Sequence, residues 1–204
     1  MNVLTRPPGA EDKMVTMDDD ALWEALRWGD EEAFRTIFER HSRTVYNVAF
    51  RYAASWSVAE EATQACFTAV WQRACAGRLT SVRRGAVRAW LCAFGRNEAR
   101  NLARGATRRL RLIGRMQQQP GREARDNVEQ WVGDEESMRR INEVLSKIPD
   151  GQRQVVELVA WGGCSMAETA DALGVPVGTV KSRLARARAT LATTEVAHLL
   201  GKEN

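Results

Sequence analysis

Apolar residues recur along this chain at intervals of three and four, and no stretch shows the two-residue alternation of a strand. Phe34, Ile37, Phe38, His41, Val45, Val48, Ala49 and Tyr52 fall on one face over five turns, which predicts a long amphipathic helix opening at Asp30. Before it, "ALWEALRWGD" predicts a helix capped by Asp18, Asp19 or Asp20 and closed by Gly29. After it, a third helix runs from about Ser57 to Ala76, with Val58, Ala62, Ala65, Cys66, Ala69 and Val70 inward. The glycine-bounded "GRLTSVRRG" reads as a loop. A helix over 87–104 follows, its apolar stripe made of Val87, Trp90, Leu91, Phe94 and Leu102. These elements predict a compact all-helical domain over 18–112, preceded by a flexible tail over 1–17.

The pattern fades over 113–134, where a run of three glutamines at 117–119, Pro120 and three glycines predict a flexible linker, with room for a short helix around Trp131. A second helical unit spans 135–194, and 195–204 reads as a further tail. "MRRINEVLSKI" predicts a helix stopped at Pro149, and "GQRQVVELVAW" one closed by Gly162 and Gly163. Ser165 and Glu168 have the spacing of a capping box, in which each side chain satisfies the other's free backbone N–H. Gly174 ends that helix, and Pro176 stands near the first turn of the next, where a missing N–H costs little.

Charge sharpens this picture. The net charge of +4 hides a polarity along the chain. Residues 11–61 carry twelve acids and six bases, residues 83–115 ten arginines and one acid, and residues 172–194 four bases and no acid. Arg88, Arg96, Arg100 and Arg104 share one four-residue ladder on the helix over 87–104, and Glu98 lies off it. Like charges at this spacing repel by roughly 0.2–0.5 kcal/mol per pair. An uncompensated ladder predicts that something anionic from outside the protein pairs with it, and two separated basic blocks predict a polyanion bound at two places.

Residues 166–185 have helix-turn-helix spacing. Ala170 is small at the helix crossing, Gly174 suits a turn at positive φ, and Val180 packs the second helix on the first. Lys181, Arg183, Arg186 and Arg188, with Thr179 and Ser182 near its start, give that second helix the composition of a recognition helix in a major groove. Thr179 and Ser182 suit phosphate contacts, while Lys181, Arg183 and Arg186 are better placed for base edges.

Taken together, "AFRTIFERHSRTVYNVAFRY", "AEEATQACFTAVWQ", "VRAWLCAFGRNEARNLARGATRR" and "IPDGQRQVVELVAWGGCSMAETADALGVPVGTVKSRLARARATL" make the chain resemble bacterial RNA polymerase sigma factors of the extracytoplasmic-function type, of the sigma-70 family. The resemblance covers nearly everything from Asp18 to Leu191. It implies two helical domains, the second a helix-turn-helix reading the −35 promoter element through Thr179, Lys181, Ser182, Arg183, Arg186 and Arg188. It implies that the helix over 87–104 faces the −10 element, with Arg88, Arg96, Asn97, Arg100, Asn101, Arg104, Arg108 and Arg109 as its candidate surface. Trp90 has two readings, a core residue or a stacking platform for a base. The loop from Ala76 to Ala86 matches the family's element that captures a flipped base, so that the open strand is selected by binding. Glu60, Glu61, Gln64 and Thr68 match the family's main contact with core RNA polymerase.

The resemblance also implies promoter DNA and core RNA polymerase as partners, an anti-sigma factor as inhibitor, a cytoplasmic location, and no cofactor or small-molecule substrate. Departures from the family pattern fall at Glu61, Ala65, Asn101 and Pro176, where Asp, Glu, Asp and a Ser-like cap are usual. The competing expectation is a helix-turn-helix regulator that is not a polymerase subunit, which leaves the basic helix over 87–104 without a purpose. An enzyme has little support, since no P-loop, metal-spaced cluster or nucleophile–base pair is evident. No stretch approaches the ~20 apolar residues of a membrane span, and the first twenty residues hold no signal-like apolar region. Cys66, Cys75, Cys92 and Cys164 lack metal spacing and read as free thiols in a reducing compartment. His41 and His198 read as structural or surface residues.

Overall fold

The computed structural model describes residues 16–113 and 128–192. Among them there is no strand, and the helices are α1 (Asp19–Arg27), α2 (Glu31–Ala53), α3 (Trp56–Cys75), α4 (Val87–Ile113), α5 (Val128–Leu145), α6 (Asp150–Val156), α7 (Met166–Leu173) and α8 (Val177–Ala192). The chain is all-α, as its periodicity predicts. The tails over 1–15 and 193–204, including His198, and most of the stretch read as a linker lie outside the described residues.

Local chemistry sets the helix starts. The Asp18 carboxylate accepts from the Ala21 N–H, and the Asp30 carboxylate accepts from those of Glu32 and Ala33. Ser55 caps α3, which therefore begins at Trp56, slightly ahead of the expected Ser57. Helix α4 continues past residue 104 to Ile113, and α5 begins at Val128, inside the stretch read as linker and through Trp131. The helix expected over "GQRQVVELVAW" changes pitch, for α6 passes into a π turn over Glu157–Trp161.

Helices α1 to α4 pack around Leu22, Trp23, Leu26, Ile37, Val45, Phe67, Val70 and Leu91, all buried. Gly95 allows α4 its close approach to α2, because a Cβ there would collide with Cγ1 of Val45. On α3, Thr63 and Phe67 are buried, whereas Ala65 and Ala69, expected inward, are only half-buried. Phe38 was expected in the core but lies at its edge, 42% exposed, with its ring edge-on to Phe67. His41 is structural, as expected, buried and 2.7 Å from Asp19.

The C-terminal helices form two smaller clusters. Leu145, Ile148, Ala187 and Leu191 make one, and Val155, Ala170, Val180 and Leu184 the other. Helices α7 and α8 are the helix-turn-helix. Gly174 joins them at φ 63°, the left-handed conformation its position demands. Ser165 and Glu168 complete the capping box, with the Ser165 N–H donating to Glu168 Oε2 at 2.6 Å and the Glu168 N–H to Ser165 Oγ at 3.2 Å. The two helical units are not separate bodies. Leu158 joins the N-terminal core, and Met138 packs with Ala49, Phe50, Ala62 and Ala99.

Candidate nucleic-acid interface

The arginine ladder of α4 finds its anions within the chain. Arg96 is wholly buried between the two units. Its Nε donates to Glu157 Oε2 at 2.6 Å, and its Nη2 donates to Asp150 Oδ1 at 2.7 Å. The guanidinium carbon lies 4.8 Å from the centre of the Tyr52 ring, and Nη1 has no hydrogen-bond partner. Glu157 is equally buried, and its other oxygen accepts from Arg153 Nε at 2.6 Å. Arg153 in turn donates to Asn142 Oδ1 and to the Tyr52 carbonyl. One acid thus joins an arginine of each unit. The π turn opens at Glu157, and such turns commonly sit where a side chain must be aimed.

The neighbouring rungs do the same at the edge of the interface. Arg100 lies 3.2 Å from the second oxygen of Asp150. Arg88 donates to the Gly163 carbonyl at 2.7 Å and reaches Glu168 at 3.3 Å. Arg83 reaches Asp171 at 3.0 Å. Burial opposes ionisation of Asp150, but the hydrogen bond and charge of Arg96 and the charge of Arg100 hold its carboxyl below the usual range. Burial also opposes ionisation of Glu168, where the Ser165 N–H and Arg88 outweigh it.

The candidates for the −10 surface therefore divide. Arg88, Arg96 and Arg100 face the C-terminal unit, while Asn97, Asn101 and Arg104 are exposed. Arg108 and Arg109 lie on the last turns of α4, and their side chains fall outside the described ones. Trp90 packs edge-on to Trp23 and is stacked on Phe94, the arrangement of a core residue. The loop after α3 is fastened to α1, because the Trp23 indole donates to the Thr80 carbonyl, Arg27 to the Leu79 carbonyl, and the Gly85 N–H to Asp20. A cleft between them is lined by Asp20, Trp23, Glu24, Val82 and Arg84.

On α8, Lys181, Arg186 and Arg188 are exposed, whereas Thr179, Ser182 and Arg183 are half-buried. The Ser182 hydroxyl donates to the Thr179 carbonyl at 3.0 Å. Arg183 lies against Gly151, with its guanidinium 3.4 Å from where a Cβ on that residue would stand. Glu60, Glu61, Gln64 and Thr68 share the outward face of α3 and are all exposed. Among the described residues no group of histidines, cysteines and acids could hold a metal, and no helix is long and apolar enough to cross a membrane.

Sequence reasoning missed Asp150, Glu157 and Glu168 as partners of the ladder, and Asp171 as the partner of Arg83 in the loop before α4. The only signal available was that three of them, Asp150, Glu157 and Glu168, recur at helical spacing in a segment short of bases.

A helix-turn-helix joined to a basic four-helix unit defines a two-part DNA-binding protein of transcription. Residues 37–109 match Sigma-70 region 2, and residues 138–191 match Sigma-70, region 4. The ECF RNA polymerase sigma factor SigK of Mycobacterium ulcerans is 30% identical over 190 residues, covering 89% of this chain and 92% of that protein. SigK of Mycolicibacterium vanbaalenii is 29% identical over 84% of this chain and 86% of its own. The chain belongs to the ECF RNA polymerase sigma factors. Its fold is that of CnrH in complex with the cytosolic domain of CnrY, at TM-score 0.60 and 24% identity over 91% of this chain and 99% of that one. It is also that of RpoE in complex with the anti-sigma factor NepR from Bartonella quintana, at TM-score 0.53 and 19% identity over 84% and 98%.

Proposed function

We propose that this sigma factor joins core RNA polymerase through the outward face of α3, reads a −35 element with α8 and a −10 element with α4, and must part its two units to do so. Glu60, Glu61, Gln64 and Thr68 make the polymerase contact. Lys181, Arg186 and Arg188 meet the −35 duplex, with Thr179 and Ser182 at the backbone. Arg183 gains access to DNA by leaving Gly151. Asn97, Asn101, Arg104, Arg108 and Arg109 form the standing −10 surface, and Arg88, Arg96 and Arg100 join it once Glu168, Glu157 and Asp150 withdraw.

The observation that carries this reading is the pairing of the α4 ladder with the chain's own carboxylates. Those acids occupy the positions that phosphates would take, so DNA and the C-terminal unit compete for the same guanidinium groups. The cleft lined by Asp20, Trp23, Glu24, Val82 and Arg84 offers carboxylate acceptors and a guanidinium beside the loop over 76–86, which suits the polar edge of an unstacked base. Binding such a base favours the open strand without a nucleotide-driven step, and the polymerase supplies the catalysis. The protein acts in the cytoplasm and is held inactive by an anti-sigma factor.

Run-off transcription on fragmented DNA from its own source, with purified core polymerase, tests the reading. New discrete transcripts are expected, and Glu61→Lys should reduce both them and core binding in a pull-down about tenfold or more. Tight binding of a duplex site by the protein alone, with neither core binding nor transcripts, would make it a plain helix-turn-helix regulator.

A further inference from the structure

One face of α1 meets the loop over 76–86. Asp20, Trp23 and Arg27 stand at i, i+3 and i+7 of that helix, so their side chains leave it on the same side. The Gly85 N–H donates to both oxygens of Asp20, at 2.8 and 3.0 Å. The Trp23 indole N–H donates to the Thr80 carbonyl at 3.0 Å, and Arg27 Nε donates to the Leu79 carbonyl at 3.0 Å. Glu24 accepts from Arg27 Nη1 at 2.8 Å, which steadies the guanidinium and leaves Nε for the loop. All three loop partners are backbone groups. The contacts therefore set the course of the chain, whatever side chains the loop carries.

We propose that Asp20, Trp23 and Arg27 are positioning residues for promoter opening, holding the backbone over 79–85 in the shape that receives an unstacked −10 base before DNA arrives. The proposal rests on the capture of a base by this loop, which is part of the function proposed above.

The loop needs such holds. Leu79 and Ala86 are buried at its two ends, while Thr80, Ser81, Arg83, Arg84 and Gly85 between them are exposed. A free stretch of this kind samples many backbone conformations, and ordering it on binding a base costs affinity. Anchoring at Leu79, Thr80 and Gly85 removes much of that cost in advance. The C-terminal unit supplies a further hold, from Arg83 Nη1 to Asp171 at 3.0 Å. That contact is lost when the two units part. The α1 contacts lie within the N-terminal unit, so they survive opening and keep the loop in shape when single-stranded DNA is met.

Trp23 extends the anchor to α4. Its buried ring packs edge-on to Trp90 at 5.2 Å, and Trp90 stacks on Phe94. The loop and the −10 helix are thus set against one wall, which fixes the distance between a captured base and its neighbours on α4. Arg27 separates positioning from direct contact. The cleft is lined by Asp20, Trp23, Glu24, Val82 and Arg84, and Arg27 stands outside it. Its removal alters the hold on the loop and takes no group from the cleft.

The test uses holoenzyme made from the full chain and core polymerase. The probe is a fluorescent single-stranded non-template oligonucleotide spanning the −10 element of a promoter mapped by run-off transcription. Each position is replaced in turn by an abasic nucleotide. Wild type should lose about tenfold or more in affinity at one position. Arg27→Ala should bind the intact oligonucleotide about three- to tenfold more weakly, and should lose correspondingly less at that abasic position, because the base no longer finds a formed site. Trp23→Phe, which keeps the ring and removes the N–H, should do the same. Arg27→Lys keeps a cationic donor and should recover part of the loss. Core binding in a pull-down should be unchanged in all three, and amide exchange over 79–85 should quicken in Arg27→Ala while α2 and α3 stay as protected as in wild type. Equal weakening of intact and abasic oligonucleotides would make these residues a support of the fold alone and overturn the proposal, as would variants that bind like wild type. A wild type indifferent to every abasic replacement would remove base capture itself, and the proposal with it.

Discussion

Arg96 and Glu157, 61 positions apart in the chain, meet at 2.6 Å between the two helical units, and solvent reaches neither side chain. Breaking a buried pair by removing one partner commonly costs 3–5 kcal/mol, about the figure for a charge left unpaired in the interior. Here the molecule has an escape, because parting the units returns Arg96 to water. The cost is therefore capped by the free energy of separation. Glu157→Gln should raise the open population about tenfold or more, seen as a larger radius of gyration in solution scattering. Promoter binding should strengthen in step, while the melting of the N-terminal bundle should hardly move. A variant that stays compact and melts earlier would show that the pair stabilises the fold and does not gate it.

Much of this architecture is legible in the residues. Asp18, Asp30, the Ser165–Glu168 box and Gly174 mark helix ends by chemistry that acts within a few residues, so local reasoning finds them. The inward face of α3 is harder to read. Small and apolar residues surround that helix, and the pattern alone does not rank Ala65 and Ala69 below Thr63 and Phe67. The partners of the arginine ladder are harder still. An unpaired ladder announces that an anion is needed, but nothing in periodicity says that Asp150 and Glu157 supply it. The π turn that opens at Glu157 has no signature in the apolar spacing of this segment.

The close approach of α2 and α4 gives a sharper test of packing. A methyl group at Gly95 has no room beside Val45, whose own side chain is wholly buried. Overpacking of this kind typically costs about 1–3 kcal/mol. Gly95→Ala should lower the urea midpoint accordingly, despite the gain in helix propensity that alanine brings. The double variant Gly95→Ala with Val45→Ala should recover part of the loss, because the colliding atom is gone. Additive losses would place the strain elsewhere.

Acid should loosen the N-terminal unit through Asp19. Its hydrogen bond to His41 is the main influence, and with the charges of His41 and Arg40 it brings the carboxyl down to about 2 from an ordinary 3.8, against the opposing effect of burial. A carboxyl with a lowered folded pKa contributes stability above its unfolded value and loses it as pH falls through the folded one. The contribution should be complete above roughly pH 5 and disappear between there and about pH 2. Asp19 keeps partial contact with water, which screens the interaction, so about 1–2 kcal/mol is expected. Asp19→Asn should be less stable than wild type by that amount at neutral pH, and the two should converge in acid. A constant difference across the range would mean that lost packing, and not lost charge, is responsible.

The exposed cations of α8 should separate into readers of sequence and holders of backbone. Lys181 stands in the first turns of α8, Arg186 further along it and Arg188 beyond that, all three exposed. Losing a base-edge contact costs about 1–3 kcal/mol and relaxes specificity at one position. Losing a phosphate contact weakens all sequences alike and lowers the slope of log affinity against log salt by about one. Arg186→Ala should behave in the first way and Arg188→Ala in the second, when holoenzyme binding is titrated over a series of −35 variants at several salt concentrations. Arg183→Ala should show a mixed effect, since the half-buried guanidinium must give up its packing on Gly151 before it can reach DNA. If Arg186→Ala reduces affinity equally for every −35 variant, α8 lies across the backbone and specificity comes from elsewhere in the protein.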